Sequence, residues 1–215
     1  TYHRWMRWLG LAAVLAVALA LGVLGWRWQA TLDVAAVRVV GMAHAPPDSV
    51  RALARVDTGA VLYDIDPTLV EDRVRRHPWV QDASVMRLPT GTLRISVTER
   101  TPAALAMTTD GTPAFYVDRH GFCMPLPDSA DYDVPLLYGL ADAYSPTQPV
   151  AHAAARNLLA ALTASDTHDL VAELSVQPDS TLRLYTRPTT AHDAIRVEMG
   201  RDAFPRTLRR LQVFC

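Results

Sequence analysis

The chain has 215 residues, 50% of them hydrophobic, with 21 basic residues, 22 acidic residues and two cysteines. This composition excludes a disordered chain, a collagen-like chain and a disulfide-rich scaffold, and the length fits one large domain or two small ones. Residues 28–215 contain 18 basic and 22 acidic residues, a formal charge of −4. Nucleic-acid binding is not expected, because neutralising phosphates requires clustered cations.

The first thirty residues predict a transmembrane helix. Residues 8–26 are uncharged and largely apolar, and a helix of this length spans about 28 Å, close to the hydrocarbon thickness of a bilayer. Charged and aromatic residues mark its flanks: Arg4, Arg7, Trp8, Trp26 and Arg27. Tryptophan favours membrane interfaces, and the excess of arginine before the helix favours a cytoplasmic N-terminus. Residues 1–7 are then a cytoplasmic tail, which we expect to be truncated, and residues 28–215 lie outside the cytoplasm.

A secretory signal peptide is the alternative for this segment. Ala18 and Ala20 form the small-x-small pattern of a cleavage site. The apolar run continues six residues beyond Ala20, so we favour an uncleaved anchor, while cleavage at Ala20 stays open. Under both interpretations the rest of the chain enters an oxidising compartment, where Cys123 and Cys215 could pair. Two buried thiols are the favoured alternative to a disulfide.

Residues 33–100 begin with a predicted strand and a predicted short helix. The strand is the valine-rich stretch 34–41, which ends at Gly41. After Pro46 and Pro47, Asp48 is expected to cap a helix that ends at Thr58-Gly59. Its inward-facing residues are expected to be Val50, Leu53 and Ala54.

A second helix and two strands complete this unit. Asp66 is the expected N-cap and Pro67 the first helical residue, and Pro78 stops the helix. Its buried face is expected to contain Val70, Val74 and His77. Strands follow over 83–88 and 92–99, and the second alternates apolar and polar residues, as expected for a sheet with one wet face. The order strand, helix, helix, strand, strand predicts a compact α+β module with both helices on one face.

Residues 101–215 predict a second module that is mostly antiparallel sheet. Short β-like segments recur between proline and glycine residues, at 103–108, 113–118, 171–177, 181–187 and 194–199. Helices are expected near 151–163 and 202–214. The proline-rich stretch 125–150 is expected to be a long surface connection.

No motif of catalysis or of cofactor binding occurs in the sequence. A phosphate loop, a dinucleotide fingerprint, paired metal-ligand histidines and a nucleophile elbow are all absent, so no cofactor or metal is expected. Asp118 and His120 stand close together, but an aspartate just before Gly121 is more typical of a turn. The basic run Arg73, Arg75 and Arg76 is interpreted as a solvated last helical turn rather than a docking patch.

Several short motifs give the chain a family resemblance. They are, in order, Val37-Arg38-Val39-Val40-Gly41; Pro78-Trp79-Val80 with Ala83, Val85 and Arg87; Leu93-Arg94-Ile95 running to Val97-Thr98-Glu99-Arg100; Val117-Asp118 with Gly121; Pro135-Leu136-Leu137-Tyr138-Gly139; and Gly200-Arg201. Together with a single anchor and two modules, the chain resembles the bacterial cell-division FtsQ family, called DivIB in Gram-positive bacteria. The first module resembles a POTRA domain.

The resemblance implies a non-enzymatic scaffold that joins early and late division proteins at the septum. It implies a single-pass protein of the cytoplasmic (inner) membrane with periplasmic modules. The second module is then expected to contact FtsB and FtsL, and the POTRA module to contact other division proteins. An open sheet edge suits such contacts, because it can accept a partner strand through main-chain hydrogen bonds.

The resemblance also assigns recruitment positions on the POTRA strand that follows Trp79. They fall on Val85, on Arg87, where a basic residue is kept, and on Asp82, where the family pattern has an amide. Val85 is equally well explained as a core residue. The family normally continues past the last helix into a strand that carries much of the FtsB contact, and this strand is expected to be missing here, so the FtsB contact residues are not assigned.

Three other functions compete with this hypothesis. A POTRA-bearing envelope factor that binds outer-membrane protein clients is the first alternative, although such chains usually carry tandem modules or a barrel. An envelope enzyme would need converging acid and base groups, and only scattered ones occur. A membrane-anchored sensor would need a larger cytoplasmic region than the residues before the anchor.

Overall fold

A computed structural model describes residues 2–127, 132–165, 167–188, 193–200 and 204–214. Five helices and ten strands follow in the order α1 (Tyr2–Ala30), β1 (Ala36–Val40), α2 (Pro47–Ala54), α3 (Pro67–Val74), β2 (Val80–Leu88), β3 (Thr92–Glu99), β4 (Pro102–Met107), β5 (Pro113–Asp118), β6 (Cys123–Met124), β7 (Leu136–Tyr138), α4 (Ala153–Ser165), β8 (Val171–Val176), β9 (Leu182–Thr186), β10 (Arg196–Gly200) and α5 (Phe204–Phe214). The α+β class is confirmed: an apolar helix and a small α+β module, the one that resembles a POTRA domain, precede a β-rich region.

Helix α1 is long and apolar enough to cross a membrane. Its most apolar window, Gly10–Arg27, has a mean hydropathy of 1.9 and no buried residue. Trp8 and Trp26 are 68% and 76% exposed, and Arg27 is exposed as well. The helix exceeds the predicted span of 8–26 at both ends, so the predicted tail, including Arg4 and Arg7, is helical from residue 2. No proline interrupts this stretch, which explains the extension.

The POTRA module is a three-stranded sheet with two helices on one face. The strand order is β1-β3-β2, with β1 parallel to β3 and β2 antiparallel to it. Both helices bury valine or alanine against the sheet in one apolar cluster, formed by Val50, Ala54, Val70, Val74, Val80, Ala83, Ile95 and Val97. Gly41 ends β1 with a φ of +89°, and a Cβ there would lie 2.1 Å from the Val97 carbonyl oxygen, so this turn requires glycine.

The start of α2 differs from the prediction. The cap position is Pro46, which offers no side-chain hydrogen bond, and the helix begins at Pro47. Asp48 therefore lies in the first turn, where it pairs with Arg51 at 2.8 Å, because two consecutive prolines already fix the helical entry. The helix ends before the predicted Thr58-Gly59, at left-handed Arg55.

Helix α3 confirms the predicted cap. The Asp66 side chain accepts a hydrogen bond from the Thr68 amide at 2.9 Å, and Pro67 is the first helical residue. The helix ends at Val74, so His77 lies in the following turn and not on the helix face. Its ring bonds instead to the Ser49 hydroxyl at 3.0 Å and to the Trp79 amide at 3.3 Å.

The second module is built on a seven-stranded sheet in the order β10-β9-β8-β7-β4-β5-β6. Four of the six pairings are antiparallel, and β7 is parallel to both β4 and β8. Helices α4 and α5 bury Leu158, Leu159, Phe204 and Leu208 in the same apolar cluster as this sheet. The description of a mostly antiparallel module is confirmed, while the boundaries 33–100 and 101–215 stay predictions.

The prediction of a surface connection over 125–150 is wrong at its centre. Leu136–Tyr138 forms β7, which lies in the middle of the sheet, and Leu137 is 1% exposed. Cys123 is a buried free thiol in β6, and burial raises its pKa. Cys215 lies outside the described residues, so for that residue the favoured interpretation, two buried thiols rather than a disulfide, stays a prediction.

Candidate partner-binding site

The residues predicted for recruitment lie on β2, an edge strand of the POTRA sheet. Side chains alternate along this strand. Ala83, Val85 and Arg87 point to the helices, whereas Asp82 and Met86 are on the opposite, exposed face. The three predicted residues, Val85, Arg87 and Asp82, therefore share a strand but not a face.

Val85 and Arg87 are both half-buried against the rest of the module. Val85 packs on two apolar clusters. Arg87 donates from Nη2 to the Ile65 carbonyl at 2.6 Å, and its guanidinium lies 5.6 Å from the centre of the Tyr63 ring. The Arg87 Nε is buried without a hydrogen-bond partner. Both side chains thus have structural contacts of their own, and the core interpretation of Val85 fits its packing.

Asp82 is exposed but paired. Its carboxylate accepts a hydrogen bond from Arg75 Nε at 2.9 Å, and this bond lowers the pKa of Asp82 and raises that of Arg75. Arg75 also contacts Asp72 at 3.2 Å. Arg75, from the predicted basic run, is therefore neutralised by carboxylates of its own module, which agrees with a solvated last turn.

Two side chains at the end of α3 close the central part of the β2 edge. Glu71 Oε1 accepts the Val85 amide hydrogen at 2.8 Å, and Arg75 Nη2 donates to the Ala83 carbonyl at 3.0 Å. These backbone groups point away from β3 and would otherwise be open to another strand. We name Glu71 and Arg75 the edge clamp. This part of the edge is therefore closed to a partner strand, because α3 supplies the partners of its backbone groups.

The edge clamp does not extend to the end of β2. By the alternation of an antiparallel pair, the outward backbone groups after Val85 belong to Arg87. Within the described ranges, no side chain bonds to them. The open part of the edge is therefore the stretch Met86–Leu88, which contains an exposed Met86 and the guanidinium of Arg87.

An aromatic cluster joins the two modules. Trp79 is 3% exposed, and its indole nitrogen donates to the Pro125 carbonyl at 3.1 Å. Its ring stacks on Tyr132 at 6.1 Å between centroids and meets Tyr116 edge-on at 6.4 Å. His44 stacks on the same Trp79 ring at 6.1 Å. We call this cluster the joint.

Glu99 at the end of β3 holds the POTRA side of the joint. Its carboxylate accepts hydrogen bonds from the backbone amides of His44 and Ala45, each at 3.1 Å, and contacts His44 Nδ1 at 3.0 Å. Burial acts to raise the pKa of Glu99, but these hydrogen bonds outweigh it, so the pKa is lowered. The carboxylate therefore fixes the chain around His44 while it is ionised.

A buried ion pair lies beside the joint. Arg100 contacts Asp118 at 2.7 Å, and the two side chains are 10% and 4% exposed. Asp118 also accepts the amide hydrogens of His120 and Phe122, each at 2.8 Å, and the Arg100 guanidinium lies 4.0 Å from the Phe122 ring centre. Asp118 thus organises a turn, as the sequence predicted, and all its bonds are structural.

Two observations in the described part of the chain bear on the binding of small ligands. No group of three or more His, Cys, Asp or Glu residues there could hold a metal ion. One cavity of about 240 Å³ lies between the modules, and its lining includes Gln81, Asp118 and His120. The carboxylate of Asp118 in this lining is bonded to Arg100 and to two backbone amides.

Sequence reasoning missed Glu71 and the joint. An acidic residue on a short helix gives no sign that it will bond to a strand amide. Trp79 belongs to the Pro78-Trp79-Val80 motif, but its contacts in the joint come from residues more than 30 positions away. The sequence predicts a strand at 194–199, but it does not predict that this strand, β10, lies at the edge of the seven-stranded sheet.

Comparison with known proteins gives one family. The POTRA domain of the FtsQ type matches residues 32–100. A cell division protein FtsQ of Salinibacter ruber is 48% identical over 214 residues, 97% of this chain and 82% of that protein. One of Rhodothermus marinus is 43% identical over 91% of this chain and 72% of its own length, and one of Anaeromyxobacter sp. is 34% identical over 61% and 46%. The chain belongs to the FtsQ family of cell division proteins.

Proposed function

We propose that the chain is a non-enzymatic, single-pass scaffold of the division machinery. Helix α1 crosses the cytoplasmic membrane with its N-terminus in the cytoplasm, and both modules lie in the periplasm at the septum. The scaffold links early and late division proteins through contacts between proteins. The joint carries this proposal, because a connector must hold two binding surfaces in a fixed relation, and Trp79 packs both modules into one cluster.

The POTRA module contacts division proteins at the Met86–Leu88 end of β2. A partner strand can pair with the outward backbone groups there, and Arg87 lies beside them. The edge clamp restricts pairing to this end, since strand addition further along would have to displace Glu71 and Arg75 from Val85 and Ala83. Asp82 is therefore a less favourable contact than Arg87.

Within the described part of the chain, the second module contacts FtsB and FtsL at the β10 edge, and the strand after α5 that the family resemblance implies would add to this contact. Strand β10 pairs with β9 on one side, and within the described ranges no strand lies on its other side. The Thr186 amide donates to the Ile195 carbonyl at 3.1 Å, so by alternation the outward backbone groups belong to Arg196 and Glu198. Main-chain pairing with a partner strand suits these groups.

A single substitution tests the β10 contact. Arg196→Pro removes an outward amide and keeps the bonds to β9, because proline is tolerated on the open side of an edge strand. We expect FtsB and FtsL to co-purify at least about tenfold less with Arg196→Pro than with wild type in the native host. Arg196→Ala is the matched control, since it keeps the amide. Equal co-purification of the proline variant and wild type would exclude the β10 edge.

A further inference from the structure

The POTRA sheet has an exposed face on the side away from its two helices. Paired positions on its three strands form two rows across this face. In the order β1, β3, β2, one row is Arg38, Arg94 and Met86, and the other is Val40, Ser96 and Ser84. We call these six residues the open face. Apart from partly covered Ser96, their side chains are exposed.

Arg38 and Arg94 give the open face an uncompensated positive charge. They occupy paired positions on β1 and β3, about 5 Å apart, and like charges in this arrangement repel. Within the described part of the chain, neither arginine has an ion-pair partner. Asp82, farther along the same face, is already bonded to Arg75. Because the described chain supplies no counter-charge, Arg38 and Arg94 together can bind an anionic group of another molecule.

The open face is also partly apolar. Met86 is 61% exposed and Val40 is 36% exposed, although both lie on strands of a well-packed sheet. Met86 is next to Arg94 in the same row. Apolar side chains beside arginines are typical of surfaces that lie at a membrane interface.

The tether from the membrane leads directly to this face. Helix α1 ends at Ala30 and β1 begins at Ala36, and the five residues between them span at most about 18 Å. Arg38 is two residues into β1, about 7 Å from its start. Arg38 therefore lies within about 25 Å of the end of α1, near enough to reach the surface of a membrane that α1 crosses.

We propose that the open face docks on the anionic phospholipid headgroups of the membrane that α1 crosses. Arg38 and Arg94 bind lipid phosphates, for which the guanidinium geometry is suited, and Met86 enters the interface. Docking fixes the POTRA module against the bilayer. The backbone edge at Met86–Leu88 lies in the plane of the sheet, so it stays accessible to a partner strand while the open face contacts the membrane. The proposal rests on the membrane anchoring proposed above.

Lipid quenching in vesicles tests the docking. The full chain, with both native cysteines replaced by alanine, carries a fluorophore at Ser84→Cys on the open face or at exposed Thr68→Cys on α3 as the matched control. The vesicles contain headgroup spin-labelled lipid and either phosphatidylcholine alone or about 30% phosphatidylglycerol. We expect the Ser84 label to be quenched several-fold more than the Thr68 label in phosphatidylglycerol only.

The dependence of Ser84 quenching on salt and on the two arginines tests whether docking is electrostatic. Quenching at Ser84 should fall to the Thr68 level in about 0.5 M NaCl and in the double variant Arg38→Gln/Arg94→Gln. Equal quenching of the Ser84 and Thr68 labels, or quenching that does not respond to phosphatidylglycerol, overturns the proposal. The proposal is also overturned if position 84 cross-links to another protein in cells and its label is not quenched by lipid in vesicles. Carbonate extraction separates the two hypotheses: an extracted chain contradicts anchoring, whereas a retained but unquenched chain contradicts docking alone.

Discussion

At the scale of single residues, Asp118 is a buried charged group with several bonds to its own chain. It pairs with Arg100 and accepts two amide hydrogens while 3% exposed. We predict that Asp118→Ala lowers the free energy of unfolding by about 3–5 kcal/mol, because it leaves the Arg100 charge buried without a partner. Urea denaturation in detergent measures the change. Glu198→Ala, which breaks the exposed pair with Arg183, should cost under about 1 kcal/mol, and equal losses would contradict the account.

The half-buried ring of His77 should make the stability of the folded chain depend on pH near neutrality. Burial lowers its pKa below the usual 6.5, so between the two values the unfolded chain binds more protons than the folded chain. Stability is therefore complete above pH 6.5 and falls as the pH decreases below it. Urea midpoints between pH 5 and 8 should show this slope in wild type and a flatter profile in His77→Gln. An unchanged slope in the variant would assign the effect to another group.

At the scale of elements, the edge clamp makes α3 responsible for the exposed side of β2. We predict that Glu71→Ala lowers the free energy of unfolding by about 1–3 kcal/mol, because the Val85 amide loses its acceptor. Hydrogen exchange of that amide should become faster. Glu71→Gln keeps an acceptor oxygen and is the matched control. If the Val85 amide exchanges equally fast in wild type and Glu71→Ala, the clamp does not protect the edge.

The elements differed in how far the sequence could predict them. Strand β3 was predicted well because Leu93, Ile95 and Val97 alternate with polar residues and are all buried in the structure. Strand β7 is not predicted by the sequence, because three residues between a proline and a glycine carry no periodic signal and the position of the strand depends on pairing with β4 and β8. Long-range pairing of this kind is not encoded in a local pattern.

The candidate site was only partly predictable for the same reason. The sequence identified β2 and its residues Val85 and Arg87, but it could not show that both turn toward the helices. That orientation depends on the register with β3 and on the irregularity after Val80. Glu71 could not be found at all, since its partner is a backbone amide 14 residues away.

At the scale of the whole molecule, we expect the joint to couple the stability of the two modules, because Trp79 packs on residues of both. We predict that Trp79→Ala destabilises the chain by about 3–5 kcal/mol, because a large buried ring is lost, and splits a single unfolding transition into two. Trp79→Phe keeps most of the packing and loses one hydrogen bond, so it should cost less and retain one transition. Urea unfolding followed by circular dichroism distinguishes them. A single transition in Trp79→Ala would mean that the modules are coupled elsewhere.

The same joint should weaken in acid. Hydrogen bonds hold the pKa of Glu99 below its usual 4.5, so its contribution is complete above that pH and is lost as the pH falls through the lowered value. The two transitions expected for Trp79→Ala should therefore appear in wild type at acidic pH. Glu99→Gln should show weaker coupling already at pH 7, and an intact joint in that variant would contradict this role.

The most direct test of the central claim is the location of the protein in living cells. A fluorescent fusion to the full-length gene is expressed in the native host while the untagged protein is depleted. It reports where the protein is located and whether cell division requires it. A scaffold of the division machinery predicts a midcell band, and filamentous cells on depletion without the fusion. Uniform envelope fluorescence with normal division after depletion would contradict the account.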